Sequence, residues 1–554
     1  MGDEKHSPDH LEAGFGSEMA ATADTAIMSE AKGITADALA ASRGEHEMTL
    51  MEAVRTHKSA IFWSMLVSTS IIMEGYDIVL VMSLVAQPEF TQRYGSYTEA
   101  AGWQVSGPWQ SALNAAPTIG AIFGAFANGY LTHRFGYVRV LLSSLVSIVA
   151  FIFLLFFAPS AAVLIVGLIL CGIPWGVFAT SAPAYASEVC PLALRGYLTV
   201  YVNLCWALGQ LIAAGVLEGF VNRRDQWAYR IPFGIQWAWP LPLLVALWFA
   251  PESPWWLVRQ GRLAEAEATL LRLSSGRKTN NAAAGETEEA VRRSVAMLKH
   301  TNDMEIAEAT GTSYWDCFRG TDLRRTEIAC LVFAAQVWCG SSLGGTPVYF
   351  FVQAGVSTSN SFKFSCGGLG LASIGTILSW GLLGRFGRRT LYVWGLAALS
   401  ACMLVVGIVA AAGGNGNTSS YTQAGFVLAW LFIYYITVGP VCYAIVSETS
   451  ATRLRSKSVC LARIAYYLSQ IAGNVIEPEL VNPTQANWHG KAGFFWAGTC
   501  LVFFVWAFFR LPETKDRTYA ELDVLFANKV TARRFSKLTV DPYSSEGGQV
   551  REKQ

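Results

Sequence analysis

Charge is what this chain is short of. Only 15% of its 554 residues are Asp, Glu, Lys or Arg, against about 25% in an average soluble domain. A surface so poor in charge suits lipid rather than water, which excludes an ordinary soluble domain. The net charge of +1 also argues against a nucleic-acid surface, which needs many cations to neutralise phosphates. The eleven cysteines are scattered singly, several inside apolar runs, as at Cys171, Cys205, Cys330, Cys402 and Cys500. With no Cys-x-x-Cys or Cys/His spacing, they read as small buried hydrophobes, not as disulfides or metal ligands. No nucleophile–base pair, metal cluster or phosphate loop occurs, so neither enzyme chemistry nor a cofactor is expected. A cleavable signal is lacking too, because the first apolar run is too long for a signal h-region.

What is present is long apolar segments. Hydrophobic residues make up 53% of the chain. Residues 1–58 are small, polar and poor in aromatics, and read as a disordered tail. Runs of spanning length then recur at 60–86, 106–131, 138–158, 161–185, 197–219 and 233–250. Six more follow at 327–353, 362–384, 390–412, 423–446, 458–477 and 492–510. The expected fold class is an all-α membrane protein with twelve transmembrane helices in two pseudo-symmetric six-helix bundles. Its parts are a bundle at 59–250, a linker at 251–325, a bundle at 326–511 and a tail at 512–554. Within the linker, the leucine spacing of Arg262–Leu273 and the charged, Ala-containing stretch Glu286–Lys299 predict short helices. Basic residues cluster in alternate connections: Arg134 and Arg139, the linker, Arg385, Arg388 and Arg389, then Arg453, Arg455 and Lys457. The positive-inside rule places both termini and the linker in the cytoplasm. Arg223, Arg224 and Arg230 break that pattern locally.

Two carboxylates interrupt the first run, Glu74 and Asp77. An acid at the centre of a spanning helix costs roughly 2.5–3.5 kcal/mol on insertion scales. Three residues apart, the two share one helix face, which must turn toward a polar cavity or an opposite charge. That pattern points to an ion or proton pathway, with a structural ion pair between helices as the alternative. Arg463, inside the eleventh run, either snorkels to the interface or pairs alternately with these acids.

The halves echo one another. Gly129-Tyr130-Leu131-Thr132-His133-Arg134-Phe135-Gly136 recurs as Gly381-Leu382-Leu383-Gly384-Arg385-Phe386-Gly387. Ser187-Glu188 with Arg195-Gly196 recurs as Ser447-Glu448 with Arg453 and Arg455, and Pro251-Glu252-Ser253 as Pro512-Glu513-Thr514. Glu188 with Arg195, and Glu448 with Arg453 or Arg455, place opposite charges at helix ends. Arg134, Arg385 and Arg388 can join them in a network that holds the inner side shut, although basic residues there also serve as simple anchors. Exposed pairs are individually worth about 0–1 kcal/mol, so only a network can act as a switch.

These motifs carry a resemblance. The duplicated unit, Glu74-Gly75-Tyr76-Asp77, Pro251-Glu252-Ser253-Pro254-Trp255-Trp256, Cys460-Leu461-Ala462-Arg463 and Pro512-Glu513-Thr514 resemble the sugar porter family of the major facilitator superfamily. Within it the chain looks most like the fungal maltose/α-glucoside–proton symporters. The resemblance implies a plasma-membrane, multi-pass secondary transporter that imports an α-glucoside with protons by alternating access. Its partners would be the sugar, the proton as co-substrate and the bilayer. A facilitator without proton coupling, or a non-transporting sensor, shares the fold.

The same resemblance implies proton coupling through Asp77, assisted by Glu74 and Arg463. It also implies sugar contacts at Gln210 and Gln336, with Trp338 beside the latter and Tyr443 where a stacking Trp is common. Tyr466, Tyr467, Gln470 and Asn474 lie along the eleventh run at helical spacing, a polar–aromatic stripe unsuited to lipid; each is equally readable as an interhelical hydrogen bond. The chain departs from the family pattern where His133 and Gly384 replace the usual Asp, and where Ala121 replaces an acid of the second helix. Choice among maltose, sucrose, trehalose, isomaltose, cellobiose or a hexose depends on fine placement of polar groups, which no motif encodes.

Overall fold

The computed structural model describes residues 37–41, 44, 47–84, 88–98, 102–105, 107–220, 223–274, 281–308, 313–344, 350–351, 358–412, 417–451, 453–481, 486, 488–541 and 549–552. It is a bundle of twelve spans. Eight run as continuous helices or nearly so: Gly107–Phe135, Tyr137–Phe156, Ala161–Val189, Leu192–Phe220, Thr358–Arg385, Arg388–Ala412, Arg455–Val481 and Ala492–Arg510. The other four are broken, and each break has a local cause. Among the described residues nine helices are long and apolar enough to cross a membrane. The sixth and seventh spans miss that mark because they are interrupted, and the second because Gly, Asn and Thr dilute its hydropathy.

The first span divides into Lys58–Ser68 and Ile71–Leu84. Three hydroxyls in a row bond back to their own helix: Ser68 Oγ to Ser64 O at 2.8 Å, Thr69 Oγ1 to Leu66 O at 2.6 Å and Ser70 Oγ to Val67 O at 2.7 Å. Such local acceptance competes with the backbone ladder, and the break falls one turn before Glu74. The sixth span runs Trp227–Ile235, a 3₁₀ turn at Gln236–Ala238, then Pro240–Leu247. Pro240 has no N–H to continue the ladder, and Gln236 sits in the gap. The seventh ends its long helix Gly320–Trp338 before Gly340, whose φ of +103° favours glycine, and resumes at Ser341–Gly344. The tenth breaks at Thr437, between Asn417–Ile436 and Val438–Thr449, three residues before Pro440.

The first span packs on the fifth, the second on the fourth, the seventh on the eleventh and the ninth on the twelfth. The halves meet where the eleventh span crosses the second and fourth, and where the fifth meets the eighth and tenth. Close approach at the acid pair depends on glycine: a Cβ on Gly75 would lie 2.2 Å from Trp206 O, and one on Gly209 2.1 Å from Ile72 O.

The linker helices are Leu263–Leu273 and Asn281–Glu308, the second longer than its charge pattern predicts. Through Ala266, Met297 and Leu298 they pack under the bundle against Trp255 and Trp256 of the short helix Pro254–Arg259, together with Tyr519 of the C-terminal helix Tyr519–Ala527. The expected tail to residue 58 needs correction over its last part. Leu50–Thr56 is a helix capped by Thr49 and seated on the bundle through the buried Ala53, while Leu50, Met51 and Val54 stay exposed. Most of residues 1–46 lies outside the described residues, as do 345–349 of the expected seventh span. Between the first two spans, the helix Pro88–Tyr94 and the hairpin Ser96–Thr98/Gly102–Gln104 were not foreseen.

Candidate functional site

The charge constellation lies on the seam between the halves. Arg463 Nη2 meets Glu74 Oε1 at 2.5 Å, joining the eleventh span to the first, and both side chains are buried. Tyr467 donates its hydroxyl to the same Glu74 oxygen at 3.1 Å, and Arg463 Nη1 donates to the Tyr443 hydroxyl at 3.2 Å. The guanidinium lies 4.6 Å from the Tyr466 ring centre and 4.9 Å from that of Tyr467. A buried ion pair gains when its remaining atoms are also bonded; Tyr443 takes Arg463 Nη1, while Nε has no hydrogen-bond partner among the described residues. Glu74 Oε2 has no hydrogen-bond partner among the described residues, and Glu74 borders a small cavity.

Asp77 is held differently. It is 2% exposed and accepts a hydrogen bond from Gln236 Nε2 of the broken sixth span. No ion pair reaches it among the described residues. The two acids share a face, as expected, yet only Glu74 meets Arg463. Gln236 was missed in the sequence, although a lone amide in an apolar, tryptophan-rich run was its signal.

The polar groups assigned to sugar divide into two sets. Gln210 Oε1 accepts from the Tyr435 hydroxyl at 3.0 Å, a bond between the halves, and Gln336 Oε1 from the Tyr434 hydroxyl at 2.9 Å. Tyr434 stacks on Trp430 at 5.2 Å. Tyr434, Tyr435 and Trp430 were not singled out in the sequence. The second set, Tyr443, Tyr466 and Tyr467, surrounds Arg463 instead. Gln470 and Asn474 line a cavity of about 30 Å³ with Glu74, Asn114 and Ala121. Such a space suits a water, not a sugar, whose pockets run to about 300–1,000 Å³. Trp338 turns away from both sets: its ring packs 6.2 Å from Trp496, and its carbonyl accepts from Thr499 at 2.7 Å.

At the linker end the duplication is visible bond by bond. Glu252 accepts from the Tyr137 N–H at 2.9 Å, as Glu513 does from the Arg388 N–H at 2.8 Å. Ser253 donates to Glu188, as Thr514 Oγ1 does to Glu448 at 2.7 Å. Burial pushes Glu252 up to about 7, against backbone donors that oppose the shift. The expected pairings are corrected in detail. Glu188 meets Arg259 at 2.9 Å and, across the halves, Arg455 at 3.4 Å. Glu448 meets Arg388 at 3.2 Å, and Arg453 meets Asp322 at 3.6 Å. Arg195 lies on the Tyr519 ring at 3.9 Å rather than on Glu188. Arg134 and Arg385 stay outside this network, both exposed, with Arg134 donating to the Tyr130 hydroxyl at 3.1 Å. They lie in the last turns of the second and eighth spans, pointing to solvent. Glu188, Glu448 and Arg455 are buried, so this end of the molecule is closed.

Twelve spans in two repeats around a polar seam define a membrane transporter of the major facilitator type. The profile of the family described as sugar (and other) transporter matches residues 63–526, and the chain belongs to that family. It is 38% identical over 513 residues to the general alpha-glucoside permease of Saccharomyces cerevisiae, covering 92% of this chain and 82% of that one. A maltose permease of the same yeast is 40% identical over the same coverage. Among solved structures, the proton:xylose symporter XylE with bound 6-bromo-6-deoxy-D-glucose superposes with a TM-score of 0.72 at 21% identity. That match covers 85% of this chain and 100% of that one. The inward-open form of XylE from E. coli gives 0.59 at 19% identity, covering 84% and 99%. The chain is a multi-pass transporter and not an enzyme.

Proposed function

We propose that this chain imports an α-glucoside disaccharide together with protons across the plasma membrane, by alternating access, with the linker face and both termini cytoplasmic. The observation that carries the reading is the buried seam itself: one acid paired to a cation of the opposite half, and a second acid without one. Glu74 and Arg463 tie the halves together. Asp77 carries the proton, because burying a carboxylate without a cation is costly and proton uptake removes the charge. Gln236 can serve either state: its NH₂ donates to the carboxylate, and a half-turn of the amide offers Oε1 to a protonated acid. That Oε1 has no donor among the described residues as the amide stands.

Sugar would enter where Gln210 and Gln336 now bond to Tyr435 and Tyr434. Each amide and hydroxyl that lets go of its partner becomes a group for a sugar hydroxyl, so opening the seam and exposing the site are one event. The maltose and alpha-glucoside permeases among the relatives favour an α-linked disaccharide. No cofactor is needed, since the proton gradient supplies the driving force.

The test is proton uptake on adding maltose to transporter-null yeast that express the chain or its Asp77→Asn form. The expected outcome is alkalinisation of the medium by the wild type, lost in the variant while sugar exchange survives. Sugar entry without a proton signal from the wild type would instead make this a facilitator.

A further inference from the structure

A second cavity, of about 250 Å³, lies at the linker end, far from the charged seam. It opens where the Leu50–Thr56 helix, the two linker helices, the end of the fourth span and the segment Thr518–Ala520 meet. Much of its wall is apolar, including Val189, Leu273, Val291 and Leu298. Arg195 also lines it. This arginine is 4% exposed, and among the described residues its Nε and Nη1 have no acceptor. Behind it Arg455 is 0% exposed, stacked 3.8 Å from the centre of the same Tyr519 ring, with Nε and Nη2 also without acceptors among the described residues.

The nearest acid cannot make up the difference. Glu188 is the one carboxylate lining the cavity among the described residues, and it is already engaged. Its Oε1 takes Arg259, Arg455 and the Tyr137 hydroxyl, and its Oε2 takes Ser253. Two buried guanidinium groups therefore hold unused donors and surplus positive charge beside an apolar hollow. Water could fill some of the donors but would leave the charge unbalanced. An anion meets both needs, and a carboxylate or phosphate suits the planar fork of arginine.

We propose that this cavity binds a small amphipathic anion, a carboxylate or phosphate group on an apolar body, and that its occupancy holds the linker end closed. The walls come from the first half, the linker and the segment after the twelfth span, so parting the halves takes the site apart. A ligand that binds only the closed arrangement shifts the population toward it, and transport slows without competition for sugar.

The test uses purified full-length protein in phosphatidylcholine nanodiscs, titrated with octyl phosphate and octanoate, with octanol as the uncharged control. Tryptophan fluorescence reports binding, since Trp255 lines the cavity. Saturable binding of both anions is expected, weakened roughly tenfold to a hundredfold by Arg195→Gln. Ser294→Trp should abolish it by filling the cavity from the linker side. If octanol binds as tightly as the anions, or if Ser294→Trp and Arg195→Gln bind octyl phosphate like the wild type, the proposal is overturned. Phosphatidate added to the nanodiscs separates the sources. Competition with octyl phosphate assigns the site to a lipid headgroup, and none assigns it to a soluble metabolite. Binding is read without transport, so this result stands apart from the proton-coupling reading.

Discussion

At the scale of single residues, Arg463 is a fully buried cation, and Glu74 is its only carboxylate partner among the described residues. Removing one member of a buried pair leaves an uncompensated charge, a loss of about 3–5 kcal/mol. Glu74→Gln and Arg463→Gln should each lower the melting temperature of the purified protein sharply. The double variant should recover much of the loss, because it buries no net charge. Additive losses in the double variant would show that the two side chains do not interact in the folded protein. All three ionisable groups of this site were legible in the sequence, since a charge in an apolar run stands out. Their pairing was not. Spacing puts Glu74 and Asp77 on one face, but the broken sixth span brings Gln236 to Asp77 alone, and a contact between remote spans leaves no trace in local periodicity. Tyr434 and Tyr435 were hidden for another reason: a tyrosine in a spanning helix looks like core until its hydroxyl finds an amide.

At the scale of elements, the breaks decide where polar groups gather. Pro240, Gly340 and Pro440 could be read as interruptions, but the Ser68–Thr69–Ser70 break could not, because hydroxyls bond back only in some rotamers. The paired turns around Glu252 and Glu513 show how a loop acid can pin two spans. Glu252 accepts three backbone N–H groups, from Tyr137, Val138 and Ser253, and is nonetheless pushed up to about 7 by burial. A carboxyl raised from its ordinary 4.5 to about 7 contributes stability that is fully present below 4.5 and lost as pH rises through 7. The wild type should therefore lose up to about 3 kcal/mol across that window from this group. Glu252→Gln, which cannot ionise, should show a flatter dependence of melting temperature on pH. Parallel curves would mean that the three backbone donors already outweigh burial.

At the scale of the whole molecule, the two repeats hold each other shut through a few buried charges at the linker end. The sequence announced the repeated motifs but paired them within each half. In the folded chain Arg455 of the second half reaches Glu188 of the first, and the Arg388–Glu448 pair presses against Gly196, where a Cβ would lie 2.6 Å from Arg388 Nη2. Alternating access requires these contacts to part. Cys460 gives a way to watch that happen: it is buried at the linker end of the eleventh span, 3.8 Å from Asn128 of the second span. It becomes reachable only when the halves separate on that side. In a background where the other ten cysteines are replaced, Glu188→Gln should speed maleimide labelling of Cys460 by about tenfold or more, since each 1.4 kcal/mol taken from the closed state is a factor of ten in its population. Ser253→Ala, which removes a neutral donor to the same carboxylate, should produce a smaller increase. Equal labelling rates in all three proteins would mean that the closed end is held by apolar packing of the linker helices, and that the charges merely follow it.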